Sequence, residues 1–158
     1  DAMRAFAVNA EAVMTKNRAN STKSEIYYLQ DVAQNKDMTA MPHLASIAQG
    51  YKKAAAGLAV LPVPPELAAT DLALVNAMAR VSDAVSDFTK ISTDPLATML
   101  ALQIYPQAAL DMGNAFIQLA HIYAQSGVVF TTGTPGASFV NLMFDVGAAQ
   151  AATASSTP

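Results

Sequence analysis

The chain has no cysteine and no tryptophan, only two histidines, and no lysine or arginine after Lys90. Without cysteine there is no disulfide framework, no thiolate metal site and no cysteine nucleophile. Charged residues make up 13% of the chain, about half the usual share. The net charge is −3 and the pI about 5.1, which speaks against nucleic acid as a partner, because such binders carry a basic stripe. The charge is also unevenly spread. Residues 1–53 hold seven Lys/Arg and five Asp/Glu, and residues 54–158 hold two and seven. Long apolar runs are missing as well. Gln103, Pro106, Gln107, Asp111, Asn114, Gln118 and His121 interrupt the most apolar stretch. No run reaches the length of a transmembrane span, and no basic flank follows one.

What the chain does have is alanine and other apolar residues, 53% in all over 158 residues. Alanine is the best helix former, and a chain this long is about one domain's worth. Residues 1–148 are therefore read as a single helical domain. The stretch 149–158, AQAATASSTP, is read as a low-complexity tail or linker. The first residue is Asp1, not Met, which fits either an exported chain whose signal peptide was removed before Asp1 or a boundary chosen for expression; the first is the expectation.

Helical spacing recurs along the chain. Met3, Phe6, Ala7, Ala10, Val13 and Met14 form one stripe. Thr22 and Glu25 fit a capping box before a short second helix, and Thr39 is placed to cap a third, with Pro42 in its first turn. Gly50 weakens that third helix slightly. Leu61 to Pro65 (LPVPP) must be extended. Pro64 and Pro65 then open a long fourth helix with Leu74, Met78, Val81, Val85 and Phe88, ending near Lys90. Asn76 falls within it and is expected to hydrogen-bond a neighbouring backbone.

Asp94-Pro95 is the sharpest start signal: Asp94 as N-cap and Pro95 at the first helical position. From Pro95 to the terminating glycine, Gly127, there is no Lys, Arg or Glu and one Asp. So uncharged a stretch is expected to be the most buried part of the fold, kinked or broken at Pro106. A short irregular segment is expected around 128–137, with Ser138 capping a last helix. The fold class is thus all-α, an antiparallel bundle of five to seven helices.

Three motifs, LPVPPEL…DLALVNAM, TDPLATMLALQIYPQAA and GVVFTTGTPGASF, resemble those of a group of uncharacterised exported helical proteins of the candidate phyla radiation (Patescibacteria). The matching positions are Leu74, Val75 and Asn76, then Asp94, Pro95 and Tyr105, then Phe130, Thr131, Pro135 and Gly136. Before Pro-Gly the group has an acid, where this chain has Thr134. The likeness covers residues 58–140 and implies export and a helical fold. It brings no activity.

Candidate chemistry is sparse. His43 and His121 lie on different helices with no carboxylates at ligand spacing, so no metal or other cofactor is expected. Two of Asp83, Asp87 and Asp94 are accounted for by a helix surface and a cap, and the three give no paired-carboxylate geometry for acid–base work. The TTGTPG segment lacks the lysine of a phosphate loop. Gln107, Asp111, Asn114, Gln118, His121 and Gln125 recur every three or four residues on one face. That face is amide-rich where a solvent face usually carries Lys and Glu. It reads as a solvated surface, a protein contact surface or a ligand groove. The sequence therefore points to a non-catalytic exported or cell-surface protein that works by protein–protein interaction or self-assembly in the cell envelope, with a homo-oligomer or a protein partner as the two forms it allows. The alternative is an extracytoplasmic module holding a small apolar or saccharide ligand between helices, with Tyr105 and Tyr123 in the pocket wall.

Overall fold

The computed structural model describes the backbone of residues 1–155 and the side chains of 1–148. Six α-helices make up the described residues: α1 (Ala2–Asn17), α2 (Glu25–Asn35), α3 (Met41–Leu58), α4 (Ala68–Phe88), α5 (Pro95–Ser126) and α6 (Ala137–Ser155). A single 3-10 turn, Met38–Ala40, leads into α3, and no strand occurs among these residues. The chain is an all-α bundle, as its composition and periodicity predict.

The helix boundaries follow local chemistry, and several differ from the sequence expectation. Ser24, not Thr22, caps α2, accepting from the Tyr27 N–H. Glu25 is thereby freed from a capping role and turns inward. The segment between α1 and α2 keeps them apart. Asp37 caps the turn before α3 by accepting from the Thr39 N–H at 3.0 Å. The two prolines of the linker do not open α4. Pro64 instead closes a turn with Leu67, whose N–H donates to the Pro64 carbonyl, and α4 begins at Ala68. Asp94 does cap α5, accepting from the Ala97 N–H at 3.1 Å, and Pro95 is its first residue. Gly127 ends α5 in the left-handed region at φ 69°, as a terminating glycine should.

α5 is one continuous helix through Pro106. The expected break does not occur. Pro106 and Leu102 both lie on the exposed side, so the carbonyl that loses its helical partner is on the face open to water. Segment 128–136 is irregular and ends at Gly136, where φ is 87°. A Cβ there would lie 2.8 Å from the Phe130 ring and 3.1 Å from Ala7, so only glycine lets this loop tuck under α1. Ser138 does not cap α6; its own N–H donates to Glu11 of α1 at 2.9 Å. Part of the expected tail is helix: α6 runs on to Ser155, in keeping with its alanine content. Residues 156–158 lie outside the described residues.

α3, α4 and α5 form an antiparallel spine that carries two cores. At one end, Tyr28, Leu29 and Val32 of α2 pack onto Leu44, Ile47, Val81, Val85, Phe88 and Ala108. At the other end, α1 and α6 close a five-helix ring. Phe6 and Ala10 of α1 and Phe139 and Met143 of α6 pack with Leu58, Leu74, Met78, Phe116, Leu119 and Tyr123. The Phe6 and Phe139 rings meet edge to face at 6.2 Å. Arg4 clamps the α5–α6 loop onto α1, donating to the Val129 carbonyl at 2.9 Å and lying 4.9 Å over the Phe130 ring. The Tyr123 hydroxyl donates to the Met3 carbonyl at 2.8 Å.

Candidate functional site

Where the two cores meet, α2 presents a carboxylate to the interior. Glu25 is 8% exposed. Its Oε1 accepts from the Tyr105 hydroxyl at 2.9 Å and from the Tyr51 hydroxyl at 3.2 Å. A buried carboxylate is tolerated only when hydrogen-bonded, and charge-assisted bonds of this kind are the stronger sort. Burial, and then the Glu25 charge, push both tyrosine pKa values well up. The two hydroxyls therefore stay protonated and keep donating. Both bonds fall on Oε1, which leaves Oε2 as the acceptor to spare.

Glu25 and Tyr51 also line an open groove of about 500 Å³. Its walls come from α1, the α1–α2 segment, α3 and α6, with Met78 reaching in from α4. Met14, Ile47, Ala54, Met78, Phe139 and Leu142 supply apolar surface. Glu11, Arg18, Lys23 and Glu25 are its charged residues. Glu11 is occupied with the α6 N-terminus, accepting from the N–H groups of Ser138 and Phe139, where the helix dipole favours an anion. Lys23 is turned toward α2, with its ammonium 3.7 Å from the Tyr27 ring and 3.8 Å from Asp31.

The sequence-predicted face lies elsewhere. Gln107, Asn114, Gln118, His121 and Gln125 are exposed and Asp111 is half-buried, all on the outer side of α5. Asp111 is bound to Arg80 of α4 at 2.7 Å and to Gln107 at 2.7 Å. The hydrogen bond from Gln107, and then the Arg80 guanidinium, hold its carboxyl below the usual range. None of these six residues lines the groove. Tyr105 and Tyr123, expected in a pocket wall, instead spend their hydroxyls on Glu25 and on the Met3 carbonyl. Asn76 is exposed and does not bridge to a core neighbour. His43 stacks on Tyr28 at 4.6 Å. Among the described residues no group of three His, Asp or Glu could hold a metal ion, and no helix is long and apolar enough to cross a membrane.

The expectation that the uncharged stretch is the most buried is overturned for its first half. Leu96 and Met99 are 67% and 60% exposed, and Leu100, Ile104 and Leu110 are also open. Five large aliphatic side chains thus share the outer face of α5, continuous with the amide face that follows. Sequence reasoning missed this row, and it missed the Glu25 cluster too. The available signal for the cluster was two tyrosines on core-facing stripes, each needing an acceptor for its buried hydroxyl.

No protein-family model, no curated protein and no solved structure matches this chain.

Proposed function

We propose that this protein is a non-catalytic module of the exported or cell-surface kind, and that the outer face of α5 is where it meets a second copy of itself. The observation that carries this reading is the open row Leu96, Met99, Leu100, Ile104 and Leu110. A contiguous apolar row on an otherwise wet surface is what an interface leaves behind when its partner is absent. The row carries no charge. Two copies related by a two-fold axis would therefore bring no like charges together, and the same patch would serve both partners. The exposed amides Gln103, Gln107, Asn114 and Gln118 supply hydrogen bonds for the polar rim that interfaces carry.

Light scattering across a wide concentration range tests the reading. The mass is expected to rise toward twice the monomer value, and Leu100→Glu with Ile104→Glu is expected to hold it at the monomer value. Both positions are exposed, so the fold is not at stake. A monomeric mass at every concentration would refute self-association. The export part rests on the resemblance to exported helical proteins, and fractionation of cells making the natural gene product tests it: recovery in the cytoplasm alone would refute it.

A further inference from the structure

The groove on the far side of the bundle has a different chemistry from the α5 face, and no residue of α5 lines it. Its floor carries a carboxylate that the fold has buried without pairing it to a cation. Among the described residues, the ion pairs are Lys23–Asp31, Arg80–Asp111 and Lys90–Asp87. Glu25 is in none of them. Its two tyrosine donors share one oxygen. The apolar lining of the groove includes Met14, Ile47, Met78, Phe139 and Leu142, an aliphatic and aromatic wall that water wets poorly. The volume, about 500 Å³, lies within the range of small-molecule sites.

We propose that this groove binds a small amphiphile with a primary ammonium head on an aliphatic body, the head on the free oxygen of Glu25 and the body along the Met14–Phe139–Leu142 wall. The choice of head follows from the charges at hand. Glu11 is already taken up by the α6 N-terminus, and Lys23 is drawn off toward Tyr27 and Asp31. Arg18 stays at the exposed rim. The carboxylate that is mostly buried and has no cation partner thus decides the sign of what it accepts. An ammonium donates three hydrogen bonds and carries the missing charge, a hydroxyl brings only the bond, and a carboxylate head brings like charge.

Calorimetric titration of the whole chain at neutral pH with n-octylammonium, n-octanol and octanoate separates these heads on one body. Saturable octylammonium binding is expected, about tenfold or more tighter than either of the others, the size of a hydrogen bond to a charged group. Glu25→Gln keeps an acceptor for the tyrosines and removes the charge, so it is expected to weaken octylammonium about tenfold. Leu142→Lys, on the exposed side of α6 with Glu25 untouched, is expected to do the same by placing a charge in the apolar wall where the body lies. No saturable binding, equal affinity for octanoate or octanol, or full affinity in Leu142→Lys would each overturn the proposal. If Glu25→Gln loses its helical circular dichroism, the head series and Leu142→Lys decide alone.

Discussion

Asp71 is the residue whose environment is least favourable to its charge. It sits near the start of α4, is 4% exposed, and its Oδ1 has no hydrogen-bond partner. Burial pushes its carboxyl up to about 6, from an ordinary value of 3.8. The folded protein therefore holds this proton over a pH range in which the unfolded chain has released it. Stability from this group is present below about pH 4 and is lost as the pH rises through about 6. The loss is about 3 kcal/mol, at about 1.4 kcal/mol per pKa unit. Asp71→Asn keeps the shape and cannot ionise. It is expected to match the parent at pH 4 in urea unfolding and to exceed it by about 2–3 kcal/mol at pH 7. The same fall between pH 4 and 7 in both proteins would show that Asp71 does not carry it. Glu25, 8% exposed, differs in that its Oε1 accepts two tyrosine hydroxyls.

At the scale of elements, α1 approaches α3 closely, and two glycines make it possible. A Cβ on Gly50 would lie 2.8 Å from the Asn17 carbonyl oxygen, and one on Gly57 would lie 2.6 Å from Val13 Cγ1. Gly50 obstructs at backbone, which cannot swing aside. Ala is better than Gly in a helix by about 1 kcal/mol, whereas forcing a methyl into a packed contact costs about 1–3 kcal/mol. Gly50→Ala is therefore expected to be net destabilising, by about 1 kcal/mol. Gly147 in α6 has only an ordinary contact at 3.5 Å to Ile117, so Gly147→Ala is expected to stabilise by about 0.5–1 kcal/mol. Urea midpoints that move the same way for both would contradict the crowding argument.

Much of this level was readable from sequence. The 3.6-residue period places all the helices, and Asp94, Pro95 and Gly127 mark both ends of α5. Asn76 was legible too, had its angle been followed: two residues past Leu74 lies roughly 200° around the helix, away from the core. The passage of α5 through Pro106 was not legible, because it depends on packing on either side, where Ala101 and Ala108 are buried against the spine. Nor was the groove. Glu11, Glu25, Tyr51 and Phe139 come from four separate helices, and each has an ordinary reading where it stands in the chain.

For the whole molecule, the two cores give the spine two different kinds of surface. The α2 end is built from α2, α3, α4 and the first half of α5, and the α1–α6 end adds the two extremities of the chain to the same three spine helices. Between them α5 spans the full length and buries only one side, which leaves the other as the apolar row described above. Self-association through that row would engage both halves at once. Melting temperatures that rise with protein concentration, as linkage requires of an assembling native state, would be its calorimetric counterpart.

The closing of the ring by α1 and α6 also sets a timetable. Glu11 and Ser138 are 127 residues apart in sequence, and contacts of such separation form late because their loop must close first. While the chain is being made, Phe6, Ala10 and Met14 have no α6 to cover them, although α2 to α5 can already pair. We expect amides of α3 and α4 around Leu44–Ala48 and Val81–Phe88 to gain exchange protection on refolding before those of α1 and α6. Pulse-labelled hydrogen exchange measures this directly, and simultaneous protection of every helix would contradict it. The apolar face of α1 is then the surface through which an unfinished chain is most open to aggregation or to a chaperone.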